Sequence, residues 1–194
     1  MKLFKAVLAS LSMLSIGAVA TVPAVAQTTV VVIDQTKIMR DSAGGKDIIN
    51  KVNAIETTMQ NELQPTADSL ATEGQALDAK TTNMTMEAIA ADPALRAEVE
   101  AYARKVQDFN RKRQIAAAEL QQTERVAWGE FFTAMQPVLQ EVVTERNADI
   151  MIDRSDAVWA GDSADATGLV ISKMNAKLPT VNVVRQKLPQ PQQQ

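Results

Sequence analysis

The sequence reads as a mainly α protein with a small β body, an α+β class in which a long antiparallel helical hairpin arm projects from a β-containing domain. Three observations predict this. Two long stretches place apolar residues on alternating spacings of three and four, with a break at 81–91 between them. Short β-branched segments stand outside that pair, at Thr29–Ile33 and at Ala148–Asp153. The chain has no cysteine, no histidine and only 4% aromatic residues. Thin helix–helix seams rather than a broad aromatic core follow from that scarcity.

The first 26 residues carry Lys2 and Lys5, no acid, and an apolar run from Ala6 to Ala20. They end with Ala24 and Ala26 at the −3 and −1 positions of an A-x-A site. This is the grammar of a cleavable signal peptide over 1–26, cut before Gln27. With Lys2 and Lys5 removed, the net charge of −3 becomes −5. The expectation is a soluble chain outside the cytoplasm, not anchored in a membrane. An acidic balance without a clustered basic surface argues against nucleic acid as a partner.

TVVVI at Thr29–Ile33 is continuously apolar and predicts a buried strand. Asp34 is placed to cap a short helix through Ile38, Met39 and Arg40, and Ser42-Ala43-Gly44-Gly45 breaks the pattern. From Lys46 a helix begins in which Ile49, Val52, Met59, Leu63, Leu70 and Leu77 share one seam with Glu56, Thr66 and Glu73. The polar members weaken that seam, Pro65 should kink it and Gly74 should loosen it.

After the break, Asp92-Pro93 starts a second helix, with an acid at the cap and proline in the first turn. Leu95, Val99, Tyr102, Val106, Phe109, Arg113, Ala116 and Leu120 continue the spacing. From Trp128 to Val143 the apolar face widens and predicts contact with a true core. Asn147 ends the helix. ADIMID reads as a strand, Ala157–Ala160 as a second strand, and Ser163–Leu178 as a last amphipathic helix. The Pro- and Gln-containing segment 179–194 reads as a flexible tail.

This pattern divides the chain into a discontinuous body, 27–45 and 147–178, and an arm, 46–146, whose base packs on the body. At 1.5 Å per residue the arm would project roughly 50 Å. With its tip near residue 88, positions whose numbers sum to about 175 or 176 should face each other. Leu77 would then meet Val99, Leu70 would meet Val106, and Met59 would meet Ala116. Asp68 would approach Arg104 and Lys105, and Glu62 would approach Arg113.

Little in the chain supports catalysis. Histidine, the commonest catalytic base and metal ligand, is missing. Asp149 and Asp153, four apart on one strand, would stand roughly 13 Å apart, too far for a retaining carboxylate pair. No nucleotide-binding, nucleophile-elbow or zinc-protease motif is present. The reading is therefore no enzyme, with no catalytic residue, no cofactor and no metal site.

Two features point to binding. The first arm helix is acidic, with six acids against Lys46, Lys51 and Lys80; the stretch 93–113 is basic, with six cations against Glu98, Glu100 and Asp108. Three readings stand: solvated faces, arms matched to each other, or a basic patch for an acidic partner or lipid headgroup. The second feature is the tip, where Met84, Met86 and Ile89 offer adaptable apolar side chains. They serve either a client or the local closure of the hairpin.

The order of elements resembles the OmpH/Skp family of periplasmic chaperones. The carrying residues are the opening strand Val30-Val31-Val32-Ile33-Asp34, the long hairpin with Ala91-Asp92-Pro93-Ala94-Leu95 at its tip, and the closing run ADIMIDRSDAVWAGDSADATGLVISKMNAKL from Ala148 to Leu178. The resemblance implies a homotrimer whose bodies join and whose arms surround a cavity. It also implies an ATP-independent periplasmic holdase that keeps unfolded outer-membrane proteins from aggregating. Val31, Ile33, Ile150, Ile152 and Val158 are expected in the oligomer core, and Met84, Met86 and Ile89 as client contacts. The best-known members are strongly basic and this chain is acidic, so no lipopolysaccharide-binding residue carries over. The competing reading is a structural envelope spacer or hairpin adaptor docking onto a fixed partner.

Overall fold

The computed structural model describes residues 28–189. The expected signal peptide and its cleavage site lie outside the described residues. The elements, in order, are β1 (Val30–Ile33), α1 (Gln35–Asp41), α2 (Ala43–Thr81), α3 (Met86–Ala91), α4 (Pro93–Glu145), β2 (Ile150–Asp153), a single 3-10 turn (Arg154–Asp156) and α5 (Thr167–Lys177). The fold is mainly α with a small β region. Among the described residues no helix is long and apolar enough to cross a membrane.

β1 and β2 pair in parallel, with Val30 opposite Ile150 and Ile33 opposite Asp153. A parallel pair requires a long crossover, and here the crossover is the whole arm. The other side of β1 is engaged as well. Val32 donates its N–H to the Ala164 carbonyl and accepts from the Ala166 N–H, both at 2.8 Å. This corrects the second strand expected at Ala157–Ala160. The chain around Ala164–Ala166 takes that edge of β1, and Val158 and Trp159 lie in an irregular connection exposed to solvent.

Asp34 caps α1 as anticipated, accepting from the Lys37 N–H at 2.7 Å. The expected break falls at Ser42 alone: its extended backbone ends α1 and its hydroxyl caps α2 by accepting from the Gly45 N–H, so Ala43, Gly44 and Gly45 are already helical. The two glycines permit close approach rather than a turn. A Cβ on Gly45 would lie 1.7 Å from the Met39 carbonyl oxygen, and one on Gly44 would lie 2.5 Å from the Leu178 carbonyl oxygen. α1 and the end of α5 therefore press directly onto the first turn of α2.

Asp92 caps α4 through the N–H groups of Ala94 and Leu95. Asn147, in the left-handed region at φ 47°, ends the turn beyond it. α5 begins at Thr167 rather than Ser163, and the Asp165 carboxylate accepts from the Thr167 N–H at 2.8 Å. Asp149 and Asp153 serve the backbone, accepting from the N–H groups of Thr29 and Gln35 respectively.

The core gathers Val31 and Ile33 of β1, Ile38 of α1, Ile48 and Val52 of α2, Val170 and Met174 of α5, and Phe131, Met135, Val138 and Val142 of α4. Trp128 meets the buried Phe131 edge-on at 5.5 Å between ring centroids. Beyond this body the arm has only two layers. Outward from Val52, α2 buries Met59 and Leu70 alone, and between Leu95 and Glu119 α4 buries no side chain. Both long helices run through their prolines, Pro65 and Pro137, which leave the carbonyls of Asn61 and Thr133 without the usual helical donor.

The flexible tail expected from Pro179 is corrected over 179–189. Val181 is buried in the body core, and the segment through Leu188 is held against α2 and α4 by side-chain hydrogen bonds. A segment without regular structure is ordered here because helix side chains bond its backbone.

Candidate binding surfaces of the arm and body

The α2–α4 seam is set by side chains of unequal size. Gly74 faces Tyr102 so closely that a Cβ there would lie 2.5 Å from the phenol oxygen. Gly74 thus makes room for Tyr102 rather than merely loosening the helix. Lys80 pairs with Glu98 and Lys105 with Glu73, each at 2.6 Å. The numbers of each ion pair sum to 178, and those of Gly74 and Tyr102 to 176, so the seam lies within a few residues of the anticipated register and well short of a heptad slip.

The individual charge contacts differ from expectation. Lys105 takes Glu73 rather than Asp68, which instead accepts from Gln64 at 2.8 Å. Glu62 pairs with Arg185 rather than Arg113. Arg104 and Arg111 pair within α4, with Glu100 and Asp108. Only the Lys105–Glu73 pair joins the basic stretch to the acidic helix in the sense of matched arms. Such exposed pairs contribute about 0–1 kcal/mol each.

The seam remains open along its length. One groove of about 260 Å³ is lined by Leu77, Ala101 and Tyr102 between the two ion pairs. Another, of about 240 Å³, runs past Leu70 and Phe109. A third, of about 440 Å³, lies between Met59 and Leu63 of α2 and Ile115 and Ala116 of α4. Polar or small residues at Thr66, Glu73, Ala101 and Ala116 cannot fill an interhelical seam, and the grooves result.

At the tip, Thr85 caps the short helix α3 through the Ala88 N–H. Met86 is 78% exposed, Met84 is exposed and Ile89 is half-buried, while Leu95 is buried. Leu95 is thus the buried apolar side chain of the tip, and Met86 is left to solvent.

On the body, the five residues expected in an oligomer core separate into two sets. Val31 and Ile33 are buried in the protomer's own core and have no surface to offer another copy. Ile152 is half-buried, whereas Ile150 is exposed and Val158 and Trp159 are 107% and 84% exposed. The exposed apolar residues of the strand region are therefore Val30 and Ile150, opposite each other on β1 and β2, with Val158 and Trp159 in the connection after β2.

The last surface belongs to the tail. The Val181 N–H donates to Asp47 at 2.8 Å and the Val181 carbonyl accepts from Lys51 at 2.7 Å. Arg185 then sits between the helices, its Nη1 2.8 Å from Glu62 Oε2 and its Nη2 2.8 Å from Glu119 Oε2. The Gln186 N–H donates to Thr123 Oγ1, and the Leu188 N–H to Glu119 Oε1. The carboxylate of Glu62, then that of Glu119, holds the Arg185 guanidinium in its charged form, above its ordinary pKa, against the opposing effect of burial.

A family model described as outer membrane protein (OmpH-like) matches residues 29–174. The chain belongs to the OmpH-like family. A solved structure from Caulobacter crescentus CB15, described as a candidate outer membrane chaperone (OmpH-like), shares the fold at a TM-score of 0.70 and 23% identity. The match covers 84% of this chain and 93% of that one. No match is found among curated proteins.

In this OmpH-like chain the residues that sequence reasoning missed are Arg185, Glu119 and Thr123. Glu119 and Thr123 are four apart on one face of α4; Thr123 continues the three-four spacing beyond Leu120, where an apolar side chain is expected, and Glu119 adjoins that seam. Polar residues there were the available sign of a bound backbone. Arg185 carries no local signal, since its partners are 123 and 66 residues away.

Proposed function

We propose that this OmpH-like chain is an ATP-independent periplasmic holdase chaperone that binds unfolded outer-membrane proteins between the arms of a homotrimer. The observation that carries the reading is the arm itself: helices of 39 and 53 residues whose shared seam is left grooved and two layers thin beyond the body. A chain that must hold many sequences without an energy source needs contacts that are individually weak and collectively numerous. Several such contacts within one cavity act through effective concentration. The exposed Met86, the grooves beside Leu70 and Leu77, and mixed charges on both helices supply them.

The body takes the second role. Ile150, Val158 and Trp159 are exposed apolar side chains available to join copies of the chain, and joined bodies would set the arms around one cavity. The apolar character of these surfaces and the acidic net charge make confinement and apolar contact, rather than net charge attraction, the source of client affinity.

The test is an aggregation assay. A β-barrel protein diluted from urea should remain soluble without ATP in the presence of the chain from Gln27 onward, at both 0.15 M and 0.5 M salt. Unchanged light scattering with and without the chain would overturn the holdase reading. Protection lost at the higher salt would transfer the grip to the basic stretch from Arg104 to Arg113.

A further inference from the structure

We propose that the groove between α2 and α4 at the base of the arm is a binding site for an extended polypeptide segment, and that the tail is its built-in, displaceable occupant. The tail itself defines what the groove accepts. Along Val181, Asn182, Val183, Val184 and Arg185 the side chains are in turn buried, exposed, half-buried, exposed and half-buried. This two-residue alternation marks an extended chain with one face against a surface. No strand lies beside it. Side chains of the helices take the backbone groups instead: Asp47 and Thr123 accept from the N–H groups of Val181 and Gln186, and Lys51 donates to the Val181 carbonyl.

Recognition of this kind reads the backbone, which every client has, and so tolerates many sequences. Its one charged requirement is a cation at the Arg185 position. Glu62 and the Glu119 carboxylate, only 6% exposed at the side chain, converge there from the two helices. Arg185, Glu62 and Glu119 also line the 440 Å³ groove, which has Met59 on the body side and continues outward past Leu63, Ile115 and Ala116 to the charged Asp108, Arg111 and Lys112. A longer segment than the tail therefore has somewhere to lie. The fitting ligand is an extended segment of alternating apolar and polar residues with a basic residue in register. Strands of membrane β-barrels have that alternation. The client identity rests on the holdase reading; the groove and its occupant do not.

A tethered occupant competes at an effective concentration on the order of mM. Free segments are consequently rejected by the resting protein unless they bind at many points, so the tail would exclude short or weakly matched peptides. Removal of its central contact should open the site.

The experiment uses the full chain and a fluorescein-labelled peptide with the sequence of residues 179–189, followed by fluorescence anisotropy. Arg185→Glu sets a third carboxylate against Glu62 and Glu119 and should expel the tail. This variant should bind the free peptide at least tenfold more tightly than the unaltered protein does. Adding Thr123→Val with Glu119→Gln should reverse that gain. Equal peptide binding by the Arg185→Glu variant and the unaltered protein would overturn the proposal.

A measurement on the unaltered protein guards against a misfolded variant. The amides of Val181, Gln186 and Leu188 should exchange with solvent at least tenfold faster than that of Val170, and faster still with millimolar peptide. Tail amides as protected as Val170, and unmoved by peptide, would also refute displacement. The β-barrel aggregation assay on the same variants separates the two ideas. Peptide capture without client protection defeats the holdase reading, and protection without capture defeats the groove.

Discussion

The guanidinium of Arg185 holds the carboxylate of Glu119 at 2.8 Å, joining the end of the chain to the middle of α4 across 66 residues. The same guanidinium reaches Glu62 of α2, also at 2.8 Å. One side chain thus ties both arm helices together just beyond the body.

Arg185→Ala should destabilise the protein by about 1–3 kcal/mol, the usual cost of leaving a buried polar group without its partner. The value should fall toward the lower end because release of the tail readmits water to Glu119. Urea unfolding followed by circular dichroism measures it. A change below about 0.3 kcal/mol would mean that the tail adds nothing to the stability of the arm base.

Two glycine substitutions should act in opposite directions. Gly45→Ala places a methyl group 1.7 Å from the Met39 carbonyl oxygen, a backbone atom that cannot move away without separating α1 from α2. A loss of at least about 2 kcal/mol is expected, in the range of overpacking costs. Gly129→Ala meets nothing within 4 Å and lies inside α4. It should stabilise the protein by about 0.5–1 kcal/mol through helix propensity. Thermal melting of the two variants tests the contrast.

Asp165 gives a pH dependence of defined sign. The Thr167 hydroxyl above all holds its carboxyl below the ordinary value of 3.8; burial opposes it, and the Thr167 N–H and the charges of Arg154 and Lys37 add to the lowering. A carboxyl with a lowered folded-state pKa binds its proton more weakly in the folded protein than in the unfolded one. Its stabilising effect is therefore complete above the unfolded value and is lost as pH falls through the folded one. The melting temperature should decline as pH drops below about 4, and Asp165→Asn should flatten that decline. An unchanged slope in the variant would show that Asp165 is not among the groups responsible.

The exposed body surface predicts a change in assembly. Replacing Val158 and Trp159, which are almost free of contact within the protomer, by aspartate should leave helical content and the melting of the isolated chain nearly unchanged. Association should weaken by at least tenfold if these side chains are buried between copies. Multi-angle light scattering across a micromolar dilution series reads the mass directly. An identical mass profile for the variant and the original chain would place the oligomer contact elsewhere.

The sequence by itself determined the hairpin, its tip, the start of α4 at Asp92-Pro93 and both strands. Each depends on residues close in the chain: caps act over two or three residues, and an apolar face repeats every three or four. The tertiary structure decided what depends on distant partners. Only it pairs Val30 with Ile150, gives the second edge of β1 to Ala164–Ala166 instead of Ala157–Ala160, and places Val31 and Ile33 inside the protomer. The tail shows the division most clearly. The composition of 179–194 reports what such a segment does alone, where nothing local offsets the entropy of ordering it. Its order over 179–189 comes from Asp47, Lys51 and Glu62 of α2 and Glu119 and Thr123 of α4, side chains far away in the chain that only the tertiary structure brings to it.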